Sequence, residues 1–261
     1  MRVLLVIRAA AQRNLGGDTI QLQKTQAALQ ALGVQAEART VGELDALAGY
    51  DLAHVFNLQT AEASWAALRA LQARGLPVVL SSIYWHMLDH WFEFAAEQTA
   101  LWRGLARGLG RPAARRLYVA WQRRKAPATP VWQTQRRLLE RAVRVLPNSQ
   151  SEADLLRATF NLNGAFQHKV DVVPNGIDPL LYDPAPAPSQ EFLAQHGWRD
   201  FVLEVGVISP VKNQLGLIRA LWDVPVPLVF IGKPAEALPE YAGQCRALGA
   251  QRGNVLFLER M

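Results

Sequence analysis

Short apolar runs alternate with amphipathic stretches from the first residue. Residues 2–8 read as a strand, 18–32 as a helix with Asp18 as its N-cap and Gly33 closing it, 34–39 as a second strand and 52–57 as a third. A helix over 61–74 and the run "LPVVLSSIY" as a fourth strand follow. After a long basic stretch come a helix over 131–142, the strand "RVLPNS", a helix over 152–160 and the strand "KVDVVPN". Such strand–helix alternation predicts a parallel sheet with helices on both faces, whose ligands gather at the carboxyl ends of the strands.

The texture then changes. "PNGIDPLLYDPAPAPSQ" is rich in proline and lacks periodicity, the mark of an interdomain linker, here placed at 176–189. Beyond it the alternation restarts: strand 201–208, helix 213–221, strand 227–231, helix 239–248 and strand 254–258. The expected architecture is therefore α/β with two Rossmann-like domains. Residues 1–175 form a complete doubly wound sheet, and 190–261 an incomplete one whose last strand has no covering helix.

Composition narrows the class. Half the residues are apolar and 19% are charged, which is globular usage. "MRVLLVIR" is too short for a signal peptide, no run has the length of a transmembrane helix, and the single cysteine, Cys245, forms no intrachain disulfide. The expectation is a cytoplasmic protein. Its net charge of +6 is uneven, because residues 98–139 contain no Asp or Glu but hold ten arginines and lysines. An anionic partner or substrate follows from that excess.

Lys212 poses a local question. It falls at or just before a helix start, the positive end of the macrodipole, where a cation is disfavoured by roughly 0.3–1 kcal/mol. An anion beside it would remove the conflict.

Four stretches, "GGDTIQLQKTQAALQALG", "RVLPNSQSEADLL", "VDVVPNGID" and "VGVISPVKNQLGLIRAL", together resemble the GT-B glycosyltransferases. The closer resemblance is to the large retaining family called glycosyl transferases group 1, or family 4. It implies transfer of a sugar from a nucleotide-sugar donor to a glycan or lipid-linked acceptor, with retention and with no cofactor beyond the donor. Cell-envelope polysaccharide synthesis is the implied setting. It also implies that Lys212, with Asn213 beside it, grips the donor diphosphate and is catalytic, and that Gly16 and Gly17 let the backbone approach the donor phosphate. A histidine near the end of the fourth strand lines the donor sugar pocket in relatives, which makes His86 the second catalytic candidate. "VVPNGID" resembles the hinge entrance.

The departures matter as much. The family's V-G-R arginine is Val207 here, which leaves open weaker donor binding, a compensating cation or a changed activity. Two glutamates seven residues apart, which hold the donor in relatives, do not occur. The chain therefore reads as truncated within the C-terminal domain and inactive alone. The alternative is a non-catalytic GT-B-like binding or scaffold module. A nicotinamide enzyme is disfavoured, because Gly16-Gly17 lies too far from the first strand for a G-x-G-x-x-G turn.

Other residues read more plainly. His54 lies within a strand as a core histidine, and Cys245 as a small buried group in a helix. His86 and His90 have i,i+4 spacing but no convergent third ligand, so no metal site is expected. The insert at 85–130 carries Trp85, Trp91, Trp102 and Trp121. In "LWRGLARGLGR", Leu101, Leu105 and Leu109 form one helical stripe and Arg103, Arg107 and Arg111 another. Arg103, Arg107, Arg111 and Trp102 are candidates for an acceptor surface or for contact with anionic lipid at the inner face of the membrane. The other reading is a helical subdomain packed on the sheet with solvated arginines. An anionic glycan surface is a third. No nucleic-acid motif accompanies the arginines.

Overall fold

The computed structural model describes residues 1–12, 16–45, 47–85, 88–177, 190–236 and 238–259, without the side chains of residues 12, 89, 90, 94, 97 and 98. The chain divides into two compact units, Met1–Ile177 and Asp178–Met261. The first contains β1 (Arg2–Ile7), α1 (Gly17–Ala31), β2 (Gln35–Thr40), β3 (Leu52–Phe56), α2 (Ala61–Gln72) and β4 (Val78–Ser81). The insert follows as α3 (Leu88–Gln98), α4 (Ala100–Leu109) and α5 (Arg111–Lys125). Then come α6 (Pro130–Arg141), β5 (Arg144–Leu146), α7 (Gln150–Phe160) and α8 (Gly164–Gln167).

The five strands form one parallel sheet in the order β2-β1-β3-β4-β5. The period-2 side-chain rule explains why β1 is apolar throughout. Leu4 and Val6 point into a core with α2, α6 and α7, while Val3, Leu5 and Ile7 join Leu22 of α1 on the opposite face. Thr129 and Ser149 cap α6 and α7 by accepting from the amides of Trp132 and Glu152. Each such cap is worth about 1 kcal/mol.

Two expectations need correction here. The strand expected at 169–175 is reduced to a single bridge, Val145 to Val170. Backbone bonds from Asp171 to Val145 and from Val173 to Pro147 carry the pairing a little further beside the three residues of β5, while residues 171–177 stay exposed. Asp18 is not the cap of α1: Gly16 is, and Asp18 lies inside the first turn.

The second unit holds α9 (Gln190–His196), β6 (Val202–Val205), α10 (Gln214–Ala220), β7 (Leu228–Ile231), α11 (Pro239–Arg252) and β8 (Val255–Leu258). Its sheet is partial, with parallel order β6-β7-β8. Ile218 of α10 and Ala242 and Cys245 of α11 pack on Leu228 and Phe230. Leu203 and Val205 of β6 alternate away from that core and are exposed. Most of the linker, residues 178–189, lies outside the described residues.

Candidate functional site

At the carboxyl ends of β1 and β3 the first unit builds a polar knot. Arg8 donates to both carboxylate oxygens of Asp18, at 2.8 and 3.1 Å, and Asn57 donates to Oδ2 at 3.0 Å. The Asp18 carboxylate also accepts from the Thr19 amide at 2.9 Å. Burial pushes its pKa up, but the hydrogen bonds from Arg8 and Asn57 and the arginine charge outweigh that and hold it below its ordinary value. The knot dictates Gly16, where an added Cβ would stand 2.7 Å from Asp18 Oδ1. Gly17 differs: among the described residues outside its own helix turn, none comes within 4 Å of where its Cβ would be. The fold requires a small residue at 16 and leaves open space over 17.

Glu152 is the second joint, and pattern reading missed it. Buried at the start of α7, its carboxylate accepts from Ser82 Oγ, from the Tyr84 amide at 2.7 Å and from the Asn148 amide at 2.8 Å. Those bonds tie together the chain beyond β4 and β5. Ser149-x-x-Glu152 carried the signal, as the S-x-x-E signature of a helix start. Gln21 of α1 donates to Asn148 Oδ1 at 2.9 Å and links α1 to the same place.

In the second unit, Lys212 and Asn213 share the turn between β6 and α10. The helix begins at Gln214, so Lys212 stands two residues before it. The macrodipole acts mainly within the first turn, so the helix weighs less on Lys212 than the sequence suggested. Its ionic neighbour is Glu204. Burial raises the Glu204 pKa, and a hydrogen bond from Gln214 and the charge of Lys212 oppose the rise. Fully buried Gln214, also unanticipated, organises the turn. It donates to Glu204 Oε1 at 2.7 Å and the Val207 carbonyl at 3.3 Å, and accepts from the Ser209 amide at 3.2 Å. The Lys212 stem lies over Gly206, 3.6 Å from where a Cβ would be. Asn213 has φ +59° and folds its amide against Gly216. Gly232, at the end of β7, meets the Gly206 carbonyl so closely that a Cβ would sit 1.9 Å from it. Lys212 and Val207 are both exposed.

The remaining candidates fall as follows. His86 lies outside the described residues, as does the side chain of His90. His54 is buried, 2.9 Å from Ser81 Oγ, with burial pushing its pKa down to about 4. That is a core residue. Cys245 is fully buried and its thiol is pushed up to about 11, chiefly by burial. Gly16 and Gly17 belong to the first unit, Lys212 and Asn213 to the second.

The insert corrects two expectations. Gly110, at φ +80°, separates α4 from α5, so Arg111 does not continue the stripe of Arg103 and Arg107. It opens α5 and pairs with Glu93. Trp102 is not a surface residue either: it packs at 5.0 Å on Tyr118 and at 5.7 Å on Trp121, in a small core with Phe92, Ala96 and Ala114. The insert thus has its own core rather than borrowing that of the sheet. Leu101, Leu109, Leu117 and Trp121 remain exposed on it beside exposed Arg103, Arg107 and Arg116.

Two parallel Rossmann-like sheets, with glycines beyond the strand ends of one and a lysine turn beyond those of the other, define a GT-B fold. Residues 29–180 match the model of Glycosyltransferase Family 4, more than half of the chain, and the protein belongs to that family. Its enzymes are retaining transferases. The crystal structure of HepE from Anabaena in complex with UDP and glucose has 17% identity and a TM-score of 0.60 to this chain, over 99% of this chain and 69% of that one. The apo lipopolysaccharide outer core galactosyltransferase WaaB has 12% identity and a TM-score of 0.50, over 100% of this chain and 68% of its own. Comparison with curated proteins gave no match.

Proposed function

We propose that the protein takes part in retaining transfer of a sugar from a nucleotide-diphosphate donor to a glycan or lipid-linked acceptor, with Lys212 as the contact to the diphosphate. Family membership supports transfer as the reaction. The observation that carries the assignment to Lys212 is its turn. The stem of exposed Lys212 lies over Gly206 at the strand ends, on a scaffold fixed by buried Gln214. As the sugar–phosphate bond breaks, negative charge grows on the leaving diphosphate, and a preorganised cation stabilises it. Asn213 stands next to that contact. The open space over Gly17 suits close approach of a phosphate to backbone. With Val207 in place of an arginine, Lys212 carries the charge that two residues share in relatives.

The test is a panel of UDP-, GDP- and ADP-sugars incubated with the protein, with and without glycan acceptors, followed by the anomeric configuration of any product. Retained transfer or donor hydrolysis supports the reading. Nucleotide binding without turnover favours a non-catalytic binding module.

A second reading concerns the insert. Exposed Leu101, Leu109, Leu117 and Trp121 among arginines fit a surface that rests on anionic lipid, peripheral to a membrane. Among the described residues no helix is long and apolar enough to cross one.

A further inference from the structure

The second unit carries another exposed lysine at the carboxyl end of its sheet, the end where parallel sheets collect ligands. Lys233 directly follows Gly232, just past β7. The chains of β6 and β7 stay together beyond their last ladder pair. Val205 is in register with Ile231, and past the two glycines Ile208 bridges Pro234 in the same register. Val207 therefore lies opposite Lys233. Backbone bonds fix that placement. The Gly206 amide donates to the Ile231 carbonyl at 2.8 Å, the Ile208 amide to the Lys233 carbonyl at 2.9 Å and the Ala235 amide to the Ile208 carbonyl at 3.0 Å.

The two lysines flank this strand end from opposite faces. Ile208 packs into the core under α10 and α11, so by alternation Gly206 faces the same side, and the Lys212 stem lies over it. Val207 and its partner Lys233 project to the other face, where Leu203 and Val205 are also exposed. Between the lysines, Gly206 and Gly232 meet as bare backbone. Among the described residues neither ammonium has a hydrogen bond or a salt bridge. The charged groups nearby leave that picture intact. Glu204, on the α10 side, already accepts from Gln214 at 2.7 Å. Arg246 is paired with Glu259 beyond β8, and exposed Glu236 lies in the turn after Lys233. A single phosphate against one face meets one of these lysines. A diphosphate lying across the glycine contact offers charged oxygens to both, each as a charge-assisted hydrogen bond.

We propose that Lys233 is a second cation of the donor site, meeting one phosphate of the nucleoside diphosphate while Lys212 meets the other. The charge placed on Lys212 above is then shared. The identity of the ligand rests on that earlier reading, and the choice of Lys233 rests on the register.

The experiment is calorimetric titration of the 261-residue protein with UDP, GDP and ADP and with the matching monophosphates. Lys233→Ala is expected to weaken binding of the preferred diphosphate roughly tenfold, the scale of a lost charged hydrogen bond, and to narrow its advantage over the monophosphate. The melting temperature is kept, because only the backbone of Lys233 serves the fold. Adding Val207→Arg to Lys233→Ala restores most of the loss, since position 207 projects beside 233. Arg199→Ala, which removes an exposed cation at the amino end of β6, changes nothing and excludes a general effect of net charge. If Lys212→Ala weakens diphosphate binding and Lys233→Ala does not, the proposal is overturned and Lys212 stands. An equal loss in Arg199→Ala, or no recovery with Val207→Arg, overturns it likewise. Wild-type protein that binds none of the diphosphates removes both lysines from the donor site.

Discussion

Lys212 and His54 show how differently two titratable residues are used. Lys212 is exposed and holds no hydrogen bond that the turn needs, since Gln214 does that work. Lys212→Ala is therefore expected to leave the melting temperature nearly unchanged. Nucleoside-diphosphate binding weakens by about 1.5–3 kcal/mol, the range for a charged hydrogen bond, and sugar transfer falls by roughly 10²–10³. Calorimetric titration with UDP and a turnover assay check both. A loss of stability with unchanged turnover would make Lys212 merely the ionic neighbour of Glu204. His54 acts on stability instead. Its folded pKa, about 4, lies below the ordinary 6.5, so between those values the unfolded chain binds a proton that the folded chain does not. Stability contributed by the neutral form is complete above pH 6.5 and falls as pH drops toward 4, by up to about 1.4 kcal/mol per pH unit. His54→Gln is expected to flatten the dependence of urea midpoints on pH in that window. Asp18 acts lower, because its depressed pKa confines its loss to below the ordinary 3.8.

Elements bring the glycines and the insert into play. At Gly232 two strand ends approach until backbone touches backbone, so Gly232→Ala must push β6 and β7 apart. Overpacking of this kind costs about 1–3 kcal/mol or more, and the second unit is expected to melt earlier. Gly17→Ala meets none of the described residues beyond its own helix turn and is expected to leave stability within a few tenths of a kcal/mol, as does an unhindered surface change. If a phosphate approaches there, donor affinity drops all the same. That split between stability and affinity distinguishes a ligand surface from a turn. For the insert, Arg107 and Arg116 are exposed beside a core that the insert builds for itself. Binding to anionic vesicles at low salt, released as salt rises, is expected for the protein and weakened in Arg107→Glu/Arg116→Glu. Sedimentation that is the same for both proteins would return those residues to a solvated face.

Over the whole molecule, the two units have separate sheets and separate cores. The first sheet is covered on both faces, while the three-stranded second sheet leaves Leu203 and Val205 exposed on β6, Val205 at 65%. Parallel strands normally bury both faces. An apolar surface dye is expected to bind the protein at neutral pH, and Leu203→Glu/Val205→Glu is expected to reduce that binding without lowering the melting temperature of the first unit. Dye fluorescence and two-transition calorimetry check this pair of outcomes.

Local pattern by itself determined a great deal. The alternation of apolar runs and amphipathic stretches gave most of the order of strands and helices and the parallel sheets, because burial in a helix or strand follows a short period that the chain must obey wherever it folds. The glycine pair and the lysine turn were visible for the same reason, each being a requirement on a few consecutive residues. Tertiary structure decided what depends on partners distant in sequence. Asp18 looked like a cap until Arg8 and Asn57 were placed beside it. Trp102 looked like surface until α5 closed over it, because an amphipathic stripe reports that a face is buried and not against what. The run at 169–175 had the composition of a strand, but beside three-residue β5 it pairs only as far as Val173. Glu152, Gln214 and Gln135 are polar residues whose hydrogen bonds bridge 4 to 77 positions in sequence. No periodicity encodes which amide faces which carbonyl, because those partners meet only when the chain has folded.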